Sequence, residues 1–386
     1  MRVCLIYDCL FPHTVGGAER WYRHLAERLV EHGHEVTYLT RCQWDPADPP
    51  DIAGVDVIAV SRAEDLYDET GRRKIGQTLR FGRGVLAHLA RHRSRYDVVH
   101  VSSFPYFSLL AARLALAGSP SRVFVDWHEV WTAEYWHEYL GGLRGAIGHA
   151  VQRACVRASP TAFVFAEMQD RRLRQEGLRT APVKLPGLYT GDTGPPAVDP
   201  QAPREPEVLF AGRHIPEKRV PSIVPAIAAA RKSVPTLRAV IMGDGPERTT
   251  VREAIDAAGL TDVITTPGFV SAGEVRAAMG RAEVLLLPSR REGYGMVVIE
   301  AASAGTPAVV IAGADNAAVE LVRDGVNGFV AASDDPAVVA AALVAVHEAG
   351  GALRASTAAW FAAEAPRRSA DASVDVVLAA YASARS

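Results

Sequence analysis

At 386 residues the chain is long enough for two domains of ordinary size, and 48% hydrophobic with 22% charged residues is a globular composition. A formal net charge of −2 gives no global basis for nucleic-acid binding, although residues 1–190 carry 24 Lys and Arg against 21 Asp and Glu and the remainder 18 against 23. Four scattered cysteines without CxxC spacing argue against a disulfide framework and for a reducing cytoplasm. The opening MRVCLIYDCLF is too short an apolar run for a signal peptide, and an 18-residue apolar span is not expected elsewhere, so a cytoplasmic protein able at most to touch a membrane surface is predicted.

Residues 3–7 read as a strand and residues 18–31 as a helix, with Trp21, Leu25 and Leu29 at helical spacing and Gly33 as its stop. With a strand at 36–40 the chain opens as βαβ. Gly16 and Gly17 fall just before the helix, where backbone N–H groups can approach an anion, although glycine pairs also serve plain turns. Residues 42–54, rich in Asp and Pro, read as a surface loop. Strands follow at 57–60, 98–101, 123–126 and 162–165, with helices at 105–116, 143–158 and 168–176. Such alternation implies a parallel sheet covered on both faces.

Three stretches of this half leave a choice open. Residues 72–95 hold eight Arg and Lys and no acid, with Ile75, Leu79, Leu86 and Leu89 on one helical face. Their stripe either enters the core with the charges in water, the preferred reading, or lies on an anionic membrane and recruits a lipid-linked or anionic acceptor. His128 follows the strand ending near Asp126, where a structural role and a proton-handling role are both open; His100, ending the preceding strand, reads as structural. The aromatic, acidic residues 127–140 either line an acceptor or form a loop packed by its own rings.

Residues 186–207 break the pattern with Pro, Gly and Asp, as linkers do. Strands then return at 208–211, 238–242, 263–266, 284–287 and 308–311, with helices at 336–348, 354–365 and 370–384. The division expected is a first domain over 1–189, a linker over 190–206, a second domain over 207–365 and a closing segment over 366–386. Both domains are read as α/β and Rossmann-like, facing each other across a cleft.

The second domain carries the sharper motifs. Arg213 and Lys218, after Gly212, lie between its first strand and helix, where a fork and a point charge suit a diphosphate, although such loops are often merely solvated. Gly243-Asp244-Gly245-Pro246 reads first as a turn before a helix opened by proline. Residues 283–310 form the most organised stretch: a strand, a loop holding Glu292, Gly293, Tyr294 and Gly295, a helix over 296–304 holding Met296 and Glu300, a stop at Gly305 and another strand. Both acids of this βαβ unit can reach one crevice from different heights. The sequence has no Walker A motif, HExxH, zinc-type Cys/His set, Gly-x-Ser-x-Gly or Asp-x-Asp, so a diphosphate bound here would be neutralised by Arg213, Lys218 and amides without metal.

Together these motifs resemble glycosyltransferase family 4, the retaining nucleotide-sugar transferases of the GT-B fold, over nearly the whole chain. The resemblance rests on Gly16-Gly17-Ala18-Glu19, the His128 loop, Gly212-Arg213 with Lys218, Gly243-Asp244-Gly245-Pro246, and Glu292 with Glu300 in EGYGMVVIEAASAGTPAV. The closing segment, Trp360-Phe361 and a helix ending near Tyr381, is similar to the family's last helix, which crosses back to the first domain. One departure is Leu185-Pro186-Gly187-Leu188-Tyr189, where family members commonly have an Asn-Gly turn.

The resemblance implies a metal-independent, cofactor-free transfer of sugar from a UDP- or GDP-linked donor to a hydroxyl of a glycan, a lipid-linked sugar or a small molecule. Arg213 and Lys218 would hold the departing diphosphate, Gly16 and Gly17 would admit the phosphates, and Glu300 would accept from the ribose. Glu292 and His128 would contact the transferred sugar, with Gly212, Asp244 and the amides of Gly293, Tyr294, Gly295 and Met296 also on the donor. The acceptor would attack from the leaving group's side, and Glu292 as a nucleophile is the lesser alternative. A sugar-nucleotide epimerase, a phosphorylase and a silent nucleotide-sugar binder are the rival classes. The oligomeric state is not legible.

Overall fold

The computed structural model describes residues 1–45, 47–66, 73–194 and 205–383. Most of the expected 190–206 linker, Arg72 of the basic stretch, and residues 384–386 therefore lie outside the described residues. The chain divides into two compact units, Met1–Thr190 with Ala370–Ser386, and Gly191–Ser369.

The first unit runs β1 (Arg2–Ile6), α1 (Gly17–Glu31), β2 (Glu35–Arg41), β3 (Val55–Ser61), α2 (Ile75–Arg91), β4 (Val98–Ser102), α3 (Tyr106–Ala115), β5 (Arg122–Trp127), α4 (Ala133–Leu140), α5 (Gly142–Ala158), β6 (Thr161–Val164), α6 (Glu167–Gln175) and β7 (Val183–Lys184). Its strands pair in parallel in the order β3-β2-β1-β4-β5-β6-β7. The central strands read as unbroken apolar runs because helices cover both faces, and β1 and β4 are buried along nearly their whole length.

The second unit runs β8 (Glu207–Ala211), α7 (Ile223–Ala230), β9 (Arg238–Met242), α8 (Arg248–Ala257), β10 (Ile264–Gly268), α9 (Ala272–Arg281), β11 (Val284–Leu287), α10 (Met296–Ala302), β12 (Ala308–Ile311), β13 (Gly328–Ala331) and α11 (Pro336–Glu364). Its sheet is parallel in the order β10-β9-β8-β11-β12-β13. The chain then returns to the first unit as α12 (Ala370–Ser383), which packs on α1. Tyr381 anchors it: the side chain is fully buried, its ring lies 4.7 Å from Phe124, and its hydroxyl is 2.6 Å from His100 Nδ1.

Several local expectations change. The stripe of α2 is rotated: Phe81, Val85 and Leu89 are buried, while Ile75 and Leu79 are 53% and 48% exposed. Two glycines set that rotation by letting backbone come close. A Cβ on Gly84 would fall 2.0 Å from Val60 O, and one on Gly82 2.9 Å from the Phe107 Cβ. Residues 133–140 are a helix, not a loop, capped by Thr132, whose hydroxyl accepts from Tyr135 N at 3.2 Å. Its Trp136 is buried against α5, where a Cβ on Gly148 would lie 2.4 Å from the indole.

The helix expected from Pro246 begins at Arg248, and β13 was not anticipated. The pair of helices expected at 336–348 and 354–365 is present, the two meeting at a kink at Gly350 (φ 50°, ψ −133°) within Pro336–Glu364. An 18-residue window of that run reaches a mean hydropathy of 1.5, which by length and composition alone would cross a membrane, contrary to the expectation of no such span. Here it buries Val339, Leu343, Val346, Leu353, Trp360 and Phe361 and packs on α7 and β13. Tertiary packing thus covers one side of this apolar run, 28% of the window being buried.

Candidate functional site

In the second unit the chain moves outward from β8 through β9 to β10, then restarts at β11 and moves the other way. A parallel sheet of this order opens a crevice at the carboxyl ends of the two strands where the direction reverses, here β8 and β11. The two loops singled out in the sequence leave from those two ends.

The β8 loop is held by close backbone packing. Gly212 N donates to Met242 O (3.1 Å) and His214 N to Asp244 O (2.9 Å). Gly243 and Gly245 have φ of 122° and 154°, and a Cβ on either would fall 1.9 Å from Gly212 O or 2.5 Å from His214 O. Only glycine serves at these two positions. Asp244, expected among the donor-binding residues, spends its carboxylate locally: Oδ1 accepts from Gly245 N (2.7 Å) and Oδ2 pairs with Arg248 Nη1 (2.6 Å). His214 is 1% exposed, and burial pushes its pKa down, so it sits as a neutral imidazole under the loop. Arg213 is exposed beside it, and a 3₁₀ turn over Pro216–Lys218 presents Lys218.

Lys218 and Glu292, 74 residues apart in sequence, are brought into contact. Lys218 Nζ pairs with Glu292 Oε1, their side chains 21% and 10% exposed. Ser289, which is buried, donates its hydroxyl to the same oxygen at 2.8 Å. The main chain of the β11 loop is fixed as tightly. Arg290 N donates to Glu217 O (2.9 Å), which ties it to the β8 loop. Glu292 N donates to Asp315 O (3.0 Å), and Ala317 N to Glu292 O (2.9 Å). Between those residues Asn316, 1% exposed, donates through Nδ2 to Ser289 O (3.1 Å) and Ile311 O (2.8 Å) and accepts at Oδ1 from Ala318 N (3.0 Å). Sequence reasoning passed over Ser289 and Asn316. The one available signal was an Asp-Asn pair, Asp315-Asn316, between small residues after the strand at 308–311.

Glu292 is followed by a sharp turn. Gly295 caps α10 in the left-handed region (φ 91°), and a Cβ there would meet Ala318 Cβ at 2.6 Å. Met296 opens the helix, Tyr294 is buried, and Glu300 lies half-buried one turn along. The Glu292, Gly293, Tyr294, Gly295, Met296 and Glu300 series thus forms one continuous wall at the β11 end.

In the first unit, Gly16 is the residue before α1, with extended backbone (φ −174°) and no side-chain cap, and Gly17 is the first helical residue. Tyr7, after β1, donates its hydroxyl to Glu19 Oε1 (3.3 Å). His128 stacks flat on Phe165, ring centroids 4.8 Å apart at 9°, and its carbonyl accepts from Gln169 Nε2 (2.7 Å). Its Nε2 is buried without a hydrogen-bond partner, and burial pushes its pKa down, so the ring is neutral.

Two residues upstream, the fully buried Asp126 accepts from Trp21 Nε1 (2.7 Å) and lies 2.8 Å from His100 Nε2. Burial alone would raise the Asp126 carboxyl, but His100 and the hydrogen bond from Trp21 hold it below its ordinary range. His100 joins this anchor to Tyr381 of α12, which supports its structural assignment. Among the described residues no three His, Cys, Asp or Glu side chains gather as a metal site.

Residues 16–186 match the family described as "Glycosyl transferase 4-like domain", and residues 197–356 that described as "Glycosyl transferases group 1". A glycogen synthase of Mycobacterium tuberculosis (strain ATCC 25618 / H37Rv) is 30% identical over 381 residues, 90% of this chain and 86% of that protein. A GDP-mannose-dependent alpha-(1-6)-phosphatidylinositol monomannoside mannosyltransferase of the same strain is 28% identical, covering 85% of this chain and 84% of its own. A sucrose-phosphate synthase from Thermosynechococcus elongatus superposes with a TM-score of 0.81 over 99% of this chain and 98% of its own, at 19% identity, a likeness of fold. With both halves matched and a 30% identical relative aligned across 90% of this chain, the chain belongs to the GT-B glycosyltransferases of the family 4 type.

Proposed function

We propose that this glycosyltransferase moves a sugar with retention from a nucleotide diphosphate donor, UDP- or GDP-linked, to an acceptor hydroxyl, without a metal ion. The observation that carries the reading is the meeting of Lys218 and Glu292 at the β8–β11 reversal, five residues along the same loop from Arg213. Breaking the anomeric C–O bond leaves negative charge on the departing phosphate. Preorganised cations there lower the barrier more than they tighten the ground state. The β8 loop is preorganised in this sense, because its main chain is locked against Gly243 and Gly245.

Both side-chain contacts of Glu292 fall on Oε1, which leaves Oε2 for a hydroxyl of the transferred sugar. A carboxylate paired with an ammonium is a poor nucleophile, which favours attack by the acceptor from the leaving group's side, the phosphate oxygen taking its proton. Glu300, one turn along α10, serves the ribose in this reading. In the first unit the neutral His128 offers a ring nitrogen to the sugar, and Gly16 and Gly17 present bare backbone to the phosphates. The absence of Asp-x-Asp from the sequence supports charge neutralisation by Arg213 and Lys218.

For the acceptor, relatives named for glycogen and for a phosphatidylinositol mannoside support a glycan or a lipid-linked sugar. Exposed Ile75 and Leu79 beside Lys74 and Arg83 support contact of the basic segment with anionic lipid, and no sedimentation with anionic vesicles at low salt removes that part. Four free cysteines, three of them buried, support a reducing cytoplasm.

The test is a panel of UDP- and GDP-sugars, with nucleotide diphosphate release followed with and without acceptor, before and after EDTA. Acceptor-stimulated release that survives EDTA is the expected result. An epimerised donor, free sugar 1-phosphate or no turnover overturns the transferase reading, and loss of activity in EDTA overturns metal independence.

A further inference from the structure

The carboxyl ends of β11, β12 and β13 frame a half-open cavity of about 310 Å3 beside Glu292, joined to it through Ser289 and Asp315. Its lining residues include two arginines, Arg219 and Arg290, two aspartates, Asp315 and Asp334, and two serines, Ser289 and Ser333. An anion entering it meets the carboxylates, and a cation meets the arginines. A neutral hydroxyl both donates and accepts, so it is served by either kind of wall. The volume lies at the lower end of small-molecule sites, roughly 300–1,000 Å3, which suits a single ring.

Arg219 adds a second, independent observation. It has φ 50° and ψ 38°, and among the described residues it is the one non-glycine with positive φ. A long side chain in that region is held against steric cost, and such outliers cluster where the side chain is used. Here the strained residue comes immediately after Lys218, and its guanidinium reaches Asp334 (2.7 Å) at the cavity rim. That pair is 32% and 50% exposed, so it is worth little in water and opens readily toward a ligand.

We propose that this cavity is a saccharide subsite that takes one neutral, polyhydroxylated ring, with Arg219 and Asp334 gripping its hydroxyls. The assignment deepens the sugar-transfer reading and rests on it for the parent of the ring, which is either the transferred sugar or the acceptor.

The test is saturation-transfer NMR of the full chain with D-glucose, D-mannose, D-galactose, N-acetyl-D-glucosamine and myo-inositol. It compares the natural protein with Arg219→Gly, which adopts φ 50° freely, and Asp334→Asn, which keeps shape and loses charge. Melting curves confirm that both variants fold. At least one ring is expected to be saturated in the natural protein and to bind at least tenfold more weakly in both variants. No saturation by any ring, or saturation unchanged in the variants, overturns the subsite.

Calorimetry with UDP, GDP, UDP-glucose and GDP-mannose separates the two parents. A ring of the donor makes Arg219→Gly weaken a nucleotide sugar but not its nucleotide. A ring of the acceptor leaves both unchanged and raises the acceptor KM. If Arg219→Gly weakens UDP and GDP equally with the sugars, Arg219 serves the phosphates and the subsite is refuted. Failure of the natural protein to bind any nucleotide while the Arg219-dependent saccharide signal persists sinks the donor reading and leaves the subsite standing.

Discussion

Replacing Asn316 by alanine tests whether the Glu292 loop is set by one buried amide. The side chain is 1% exposed and makes three hydrogen bonds, at 3.1, 2.8 and 3.0 Å. Its removal leaves the carbonyls of Ser289 and Ile311 and the amide of Ala318 buried without these partners. At about 1 kcal/mol for each bond the loss is about 3 kcal/mol. For a unit the size of Gly191–Ser369 that lowers the melting transition by roughly 6–12 °C.

Asn316→Asp is expected to be worse than Asn316→Ala, because a carboxylate keeps the acceptor for Ala318 but points charge at two carbonyl oxygens. Glu292 is tied through Asp315 and Ala317, the neighbours of Asn316, so its placement relaxes as well. In the nucleotide-release assay kcat/KM should fall by about tenfold while UDP or GDP affinity stays within about twofold. Circular dichroism melting gives the first quantity, and steady-state kinetics with isothermal titration the second. A melting shift under about 2 °C, or a milder Asp variant, would refute the claim that these three bonds hold the loop.

Other consequences are as direct. Lys218→Ala and Arg213→Ala should each lower kcat/KM by about 10² or more, as loss of a transition-state charge partner does, and near-natural rates in both remove them from the chemistry. Gly243→Ala should cost about 3 kcal/mol or more or stop the second unit from folding, since its Cβ would lie 1.9 Å from Gly212 O at φ 122°; a melting curve unchanged within error contradicts the packing described. Stability should also depend on His88, whose pKa burial and the neighbouring His92 pull down to about 4 from an ordinary 6.5. The unfolded chain binds the extra proton between these values, so this contribution is complete above pH 6.5 and is lost as pH falls toward 4. His128 and His214, also lowered by burial, act in the same direction. His88→Gln should flatten the fall in melting temperature over pH 6.5–4, and an unchanged slope argues against a neutral, half-buried His88.

Much of this protein was legible from its order of residues alone. Apolar runs such as Val284–Leu287 and Ala308–Ile311 can be satisfied only by burial on both faces, so they announce a parallel sheet without any tertiary information. Glycine at a helix stop, as at Gly305 with φ 66°, marks a boundary through backbone freedom. The Arg213, Lys218, Glu292 and Glu300 pattern carried the resemblance to a family that both halves of the chain match.

Only the folded chain decided the rest. The rotation of α2 follows from how closely Gly82 and Gly84 approach α3 and β3, a distance no periodicity contains. The aromatic stretch 133–140 packs as a helix on α5, where Gly148 admits the Trp136 indole and Gly145 the backbone of Trp136 and His137. The pairing of Lys218 with Glu292, the amide of Asn316 that fixes the loop, and the strained Arg219 with its Asp334 partner join residues 27 to 115 positions apart. Sequence fixes local propensity and burial pattern within a few turns of chain. Contacts across strands depend on register and strand order, and these exist only once the sheet has closed its core.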